Sequence, residues 1–506
     1  MTHSHPLADA DRLAIETLNE HTLSGLAVGV VSDGELVYAR GFGIAEAPGR
    51  AVTPDTVFRI GSISKTFTAV AVMQLVEEGR LRLDDPVNDH LRAYRVGHPD
   101  ASAPPVTARH LLTHTAGLGE LRRPTDLLRP TIGLAAKRGK PLPSLAEYYA
   151  PTLRAEVRPG TKWAYANHGF ATLGQLVEDV AGRPFAEHML ERVFEPLGMR
   201  HTDFLRSERV RGELAVGYAL KRGRLRAAKD TEIVVAPAGS VFSSVRDMAL
   251  YVAALTGGWA NEHGRILRPE TLQEMLTPQS PADDRLPSMG LSFFLDRFGG
   301  HRVAGHDGGW PGFISSLLIA PDHGLGVVAF TNTSVAIAPH TLGGELLRRL
   351  LGVPPEEREL PRPNVPEQPH VWPELTGLYK PLPGLNTNFR WWPLLGGEVE
   401  VVVRDGHLAV RALSPARPLR KGLRLYPLDA SDPHLFAVRH RDFQAPVLFR
   451  RGAGGDVDSV VAGAGEGGFL ELYRRPRASS LRLWGRAGAA AGAVALVRAG
   501  RRARAR

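Results

Sequence analysis

The stretch from Phe58 to Ala69, Phe-Arg-Ile-Gly-Ser-Ile-Ser-Lys-Thr-Phe-Thr-Ala, most constrains what this chain folds into. β-Branched and aromatic residues from Thr56 to Ile60 predict a short strand. Ala, Val, Met, Gln and Leu then predict a helix over 62–78, with Gly79 as its stop. Residues three apart share a helix face, so the Ser62 hydroxyl and the Lys65 amine become neighbours. A serine is a poor nucleophile until a base takes its proton, and Lys65 is a candidate for that base. Ser62 also stands near the helix N-terminus, where free backbone N–H groups and the positive dipole end favour an anion. Taken alone, the same spacing also describes a capped helix carrying a solvated lysine.

Two later segments add chemistry. Tyr165-Ala166-Asn167 precedes a predicted helix over 168–180 that stops at Gly182. A Tyr-x-Asn on a loop before a helix can turn both polar tips into a cleft. A tyrosine beside an ammonium becomes a candidate general base. Asn167 offers a donor and an acceptor to a substrate amide or ester. A buried aromatic with a helix-capping Asn is the other reading of that loop. His306-Asp307-Gly308-Gly309 precedes predicted strands over 313–319 and 324–330. Gly308 and Gly309 let a substrate lie against the backbone, with the Gly309 N–H as a possible oxyanion donor. No helix follows, which excludes a nucleotide-binding glycine loop. A hairpin-entry turn is the plain alternative.

In the order Ser-x-x-Lys, Tyr-x-Asn, His-x-Gly, the chain resembles the serine β-lactamase and penicillin-binding-protein superfamily, in particular its class C-like branch. That branch includes D-alanyl-D-alanine carboxypeptidases, D-aminopeptidases and carboxylesterases. The segments His110–Leu118, Glu195–Met199 and Pro237–Ser244 resemble it too, and the likeness spans about residues 10–350. It implies an α+β fold of the β-lactamase/transpeptidase-like type, an antiparallel sheet flanked by helices. It implies that Ser62 attacks a carbonyl, that Lys65 and Tyr165 share the proton work, and that Asn167 holds the acyl side of the substrate. The N–H groups of Ser62 and Gly309 would form the oxyanion hole, and Gly308 would lie along the substrate. His306 would stand where β-lactamases carry a lysine, bringing a milder, pH-dependent charge.

One position departs from the pattern. β-Lactam-recognising members usually carry Thr or Ser where this chain has Asp307. A carboxylate facing the cleft would repel a carboxylated substrate. If so, neutral esters and amides, or substrates with a free amine, are favoured; if Asp307 faces away, that preference lapses. Small-molecule ester or amide hydrolysis is therefore the first functional expectation. β-Lactam or D-amino-acid peptide hydrolysis is the second. A non-catalytic scaffold on the same fold is the third, disfavoured by the intact Ser62, Lys65, Tyr165 and Asn167.

The chain of 506 residues is too long for one core. Residues 1–352 read as the catalytic domain, 353–371 as a Pro-rich linker, and 372–473 as a smaller all-β antiparallel barrel or sandwich, which resembles the lipocalin-like C-terminal module of some class C-like proteins. Residues 474–506 read as a basic tail without fixed structure. That tail holds 10 arginines and no acidic residue; the whole chain carries +9, so the remainder is near −1. Its apolar run over 487–497 is too short to cross a bilayer, which takes about 20 residues. Basic charge with Leu481, Leu483 and Trp484 suits the surface of an anionic membrane; no specific nucleic-acid partner is expected. There is no cysteine, so neither disulfides nor thiolate metal sites exist. His110 and His114 are four apart but lack further ligand residues nearby, so they read as core or supporting histidines, and no metal or cofactor is expected. The first residues show no basic-then-apolar signal pattern, which points to a cytoplasmic protein. The segment 122–143 is the least regular, either a substrate-facing loop or a surface insertion.

Overall fold

The structure is a computed structural model and describes residues 7–98, 100–280, 283–334, 338–355, 365–388, 395–440, 443–463 and 468–483. It divides into two compact units, 1–358 and 359–506. Much of the linker assigned to 353–371, and the tail beyond Leu483, lie outside the described residues.

The first unit is built on an eight-stranded antiparallel sheet. Its order is Ser288–Met289, Phe294–Phe298, His301–Trp310, Phe313–Ala320, Leu325–Thr331, Gly25–Ser32, Glu35–Glu46 and Arg50–Ala51. The N-terminal strand Gly25–Ser32 therefore lies inside the sheet, paired from Leu26↔Thr331 to Ser32↔Leu325. It is buried almost throughout because helices cover both faces. The turn after it takes two residues, Asp33 (φ 50°) and Gly34 (φ 84°), as a two-residue hairpin with right-handed twist requires.

Side chains alternate between the two faces. Leu26, Val28, Val303, Leu318 and Val327 pack at the rear against helices Ala10–Glu20 and Ala338–Leu350. Ala27, Val31, Ala304, Leu317 and Phe330 face the larger front core, which also holds helices Ser64–Glu77, Asn167–Ala181 and Val245–Thr256. Ser64 to Leu75 are all buried. A helix apolar on every side belongs at the centre of a domain, wrapped by other elements. The segment 122–143 forms short helical turns at Pro124–Leu128 and Pro130–Gly133. Its strand Ala135–Lys137 then pairs with Thr231–Ile233, so it is tied into the fold.

The second unit is a closed barrel of eight antiparallel strands: Gly377–Lys380, Val399–Arg404, His407–Ala412, Leu423–Pro427, Leu435–His440, Phe443–Arg451, Val457–Gly463 and Phe469–Arg475. First and last strands pair, Leu378↔Arg475, so no edge is left open. Trp372, Tyr379, Leu408, Leu425, Phe449 and Leu472 help to fill its core. The last strand runs past residue 473, where the sequence places the end of this domain. Residues 480–482 are fixed as well: the carboxylate of Glu398 accepts bonds from the Ser480 hydroxyl (3.0 Å) and the N–H groups of Leu481 (2.7 Å) and Arg482 (2.9 Å).

Candidate active site

Ser62 sits in the helical turn Gly61–Ile63, directly before the buried helix Ser64–Glu77. This turn is held from several sides. The Ser64 hydroxyl donates to the Gly61 carbonyl (2.6 Å) and accepts from the Val241 N–H (3.0 Å). The Ile60 N–H donates to the Val241 carbonyl (3.0 Å), and the Ser315 hydroxyl donates to the Ile60 carbonyl (2.8 Å). The strand His301–Trp310 lies flat against it. A Cβ on Gly308 would collide with the Ile60 carbonyl oxygen and the Ser315 hydroxyl. Gly61 has φ 51°, and a Cβ on it would come 2.6 Å from the Gly309 nitrogen. Glycine at 61 and 308 thus allows a backbone-to-backbone approach that brings the Gly309 amide beside Ser62.

Lys65 is fully buried. Its Nζ donates to Ser62 Oγ (2.9 Å), Asn167 Oδ1 (2.8 Å) and the Ala238 carbonyl (2.6 Å), three neutral acceptors for three N–H bonds. It also stands 4.8 Å from the centre of the Tyr165 ring, a cation–π contact. Asn167 is the first residue of helix Asn167–Ala181, one position earlier than the sequence suggests, so a rigid element aims its amide at Lys65. The next residue, His168, bonds the Tyr149 hydroxyl (2.8 Å); burial pushes its pKa down to about 4, so it adds no charge.

The structure thus brings Ser62, Lys65 and Asn167 into direct hydrogen-bond contact, with the Tyr165 ring against Lys65. His306 is buried, its ring 6.3 Å from that of Tyr165 and 5.2 Å from that of Phe294. Its Nδ1–H donates to the Asp307 carbonyl (2.6 Å). The four residues His306–Gly309 are strand, not a turn. Strand alternation turns Asp307 to the rear of the sheet, where its Oδ2 lies 3.1 Å from His340 Nδ1. Its carboxylate therefore does not face the cleft, and the charge-based preference against carboxylated substrates lapses.

Two further groups shape the site: His114, expected only as a core or supporting histidine, and the Ala238 carbonyl. His114 stacks on Tyr165 (4.3 Å, 28° between planes), and its Nδ1 accepts from the Ala166 N–H (3.1 Å) while its carbonyl accepts from the Ala164 N–H (2.8 Å). An accepting Nδ1 puts the imidazole proton on Nε2. His110 instead completes a capping box with Thr107. Ala238 contributes only a backbone carbonyl, which side-chain chemistry cannot reveal. Its turn, Ala236–Ala238, follows the strand Thr231–Ile233, whose Thr231 carbonyl accepts from buried Arg59 (2.6 Å). Burial, with Arg206 nearby, pulls the Arg59 guanidinium down to about 10. Among the described residues no group of three His, Cys, Asp or Glu side chains could hold a metal ion, and no helix is long and apolar enough to cross a membrane.

The family profile for β-lactamase matches residues 10–351. The chain belongs to the β-lactamase family. It is 30% identical over 369 residues to penicillin-binding protein 4 of Amycolatopsis lactamdurans, covering 68% of this chain and 91% of that protein. It is 35% identical over 205 residues to esterase EstB of Burkholderia gladioli, covering 40% of this chain and 52% of the esterase. Among solved structures it is similar to the octameric penicillin-binding protein homologue of Pyrococcus abyssi. There the TM-score is 0.60 and the identity 25%, over 92% of this chain and 99% of that one. Residues 10–351 therefore form a β-lactamase-family serine hydrolase domain, and the likeness to the Pyrococcus protein extends into the barrel.

Proposed function

We propose that Ser62 is the nucleophile of an acyl-enzyme mechanism acting on small esters or amides. The observation that carries this is the 2.9 Å hydrogen bond from buried Lys65 to Ser62 Oγ. Lys65, once it has released one of its three protons to solvent, takes the Ser62 proton as Oγ bonds to the substrate carbonyl carbon. The N–H groups of Ser62 and Gly309 receive the negative charge that builds on the carbonyl oxygen. The C–O or C–N bond to the leaving group then breaks, and the proton passes to that group through Lys65 and Tyr165. Water, losing its proton to the same pair, hydrolyses the acyl-serine. Asn167, already held by Lys65, aligns the acyl side of the substrate, and His306 lines the opposite wall, while Gly308, expected along the substrate, instead packs on the Ser62 turn.

Hydrolysis of a short-chain p-nitrophenyl ester by the wild type and by Ser62→Ala tests this. Turnover in the wild type that is lost in the variant is expected; equal turnover in both would refute the assignment. A second reading, β-lactam or D-amino-acid peptide hydrolysis, is favoured by the extent of the likeness to penicillin-binding protein 4 and by the rearward Asp307. A screen of β-lactams and D-amino-acid amides against the same pair of proteins separates the two. The arginine-rich sequence after Leu483 supports a further proposal, peripheral contact with anionic lipid. Co-sedimentation of the full chain with phosphatidylserine vesicles, against a chain ending at Leu483, is expected to show binding only with the tail; equal binding would contradict it.

A further inference from the structure

The rear of the sheet behind His306–Gly309 holds a charge where its surroundings call for none. Val303, Leu318, Val327, Leu342 and Leu346 form an apolar layer between sheet and helix Ala338–Leu350. Into that layer Asp307 projects a carboxylate that is only 13% exposed. A buried carboxylate is destabilising unless it is paired. Its partner is His340, whose Nδ1 lies 3.1 Å from Oδ2 and whose ring is 36% exposed. Ser316 stands directly across the strand pair from Asp307. Burial works against ionisation of Asp307, but the charge and hydrogen bond of His340, with further help from Ser316 and His306, hold its carboxyl below the usual range.

Asp307 is flanked in sequence by two groups of the front face. His306 lines the site, and Gly308 packs on the nucleophile turn so closely that no side chain fits. Whatever fixes Asp307 from behind therefore fixes where the Gly309 N–H and the His306 ring stand in front. We propose that the Asp307–His340 pair is a positioning device that presses the motif strand onto the Ser62 turn, so that turnover depends on the protonation state of a histidine on the opposite face of the sheet. This proposal rests on the acyl-enzyme reading of Ser62 given above.

The sign of the pH dependence follows from the pair. Asp307, with its depressed pKa, stays ionised until the pH falls below the ordinary carboxylate range, so the pair is lost only in strong acid. At the other end, loss of the His340 proton leaves a neutral ring beside the Asp307 carboxylate and removes the charge–charge attraction of the pair. The other groups within electrostatic reach are Asp296 on the neighbouring strand Phe294–Phe298, Arg348 on the helix, and His306 through the sheet. Glu345, Arg349 and Asp9 form their own ion pairs further along the helix. Asp296, on which both His340 and Arg348 act, favours the protonated His340, and His306 adds to the positive charge that Asp307 faces.

The test compares Asp307→Asn, His340→Gln and the double variant with the wild type in p-nitrophenyl ester hydrolysis from pH 5 to 9. Each single variant is expected to lower kcat by about tenfold with KM within about twofold, the mark of an interaction that serves the transition state. His340→Gln is also expected to flatten the fall in kcat above neutrality, and the double variant to be no worse than either single one. A lower melting temperature with kcat and the pH profile unchanged would overturn the proposal and leave a purely structural ion pair. Hydrogen exchange over 60–64 and 301–310 gives a readout that needs no substrate. Faster exchange in both segments is expected for the variants, and faster exchange in 301–310 alone would contradict the coupling. Absence of Ser62-dependent turnover in the wild type would count against the acyl-enzyme reading instead, and the exchange result would still decide this proposal.

Discussion

Lys65 in the first unit and Glu398 in the barrel are both charged side chains removed almost entirely from water. Both are well satisfied, yet their partners differ in kind. Lys65 binds a serine hydroxyl at a helix start, a side-chain amide and one carbonyl. Glu398 binds the Ser480 hydroxyl and two backbone N–H groups, with Lys380 3.5 Å away. The glutamate anchors residues 480–482; every group it touches is structural. The lysine is joined to a group that becomes reactive once it loses a proton. Burial of a charge therefore does not by itself mark a site. What marks one is whether the partners are groups that chemistry can change.

The comparison breaks most decisively at Lys65. Lys65→Ala removes the proposed base in contact with Ser62 and is expected to lower turnover by about 10³-fold, within the usual range for a general base. Retained turnover in a variant with native circular dichroism would place Lys65 in the same structural class as Glu398. Next is His114→Phe, which keeps a ring against Tyr165 but loses the acceptor for the Ala166 N–H. A roughly tenfold loss of kcat is expected if a misplaced tyrosine weakens proton transfer; stopped-flow ester hydrolysis reads it. Glu398→Gln should leave kcat unchanged and cost about 1–3 kcal/mol of stability through weakened charge-assisted bonds, measured by urea unfolding.

The smallest effect concerns pH. Burial opposes ionisation of Glu398, but the N–H groups of Arg482 and Leu481 and the Ser480 hydroxyl hold its carboxyl below the ordinary range. Its contribution is therefore full above the ordinary carboxylate pKa and fades as the pH falls through the depressed one. The wild type should lose more stability than Glu398→Gln between pH 5 and 3. Parallel loss in both proteins would contradict the capping role.

Much of this was legible in the chain itself. Asp33-Gly34 announced its hairpin, Gly182 its helix stop, and the short strands from Glu398 onward an antiparallel barrel or sandwich, because turn chemistry and local periodicity are properties of neighbouring residues; closure into a barrel depends on the pairing of the first and last strands. Ser62 and Lys65 were legible for the same reason: three residues on one helix turn fix their meeting. The contribution of His114 was not, since it depends on a stack with a residue 51 positions later in sequence. The Ala238 carbonyl was hidden because every residue has one. The direction of Asp307 depended on strand parity and on a partner, His340, from a helix behind the sheet. The anchoring of Ser480 was masked by a composition that reads as unstructured, and it is supplied by a glutamate from another strand region of the barrel.

The most direct test of the central claim is peptide mapping by mass spectrometry after rapid quenching of the enzyme with p-nitrophenyl acetate. An acetyl group is expected on the peptide containing Ser62 in the wild type and none there in Ser62→Ala. Acetylation confined to another residue, with turnover persisting in Ser62→Ala, would contradict it.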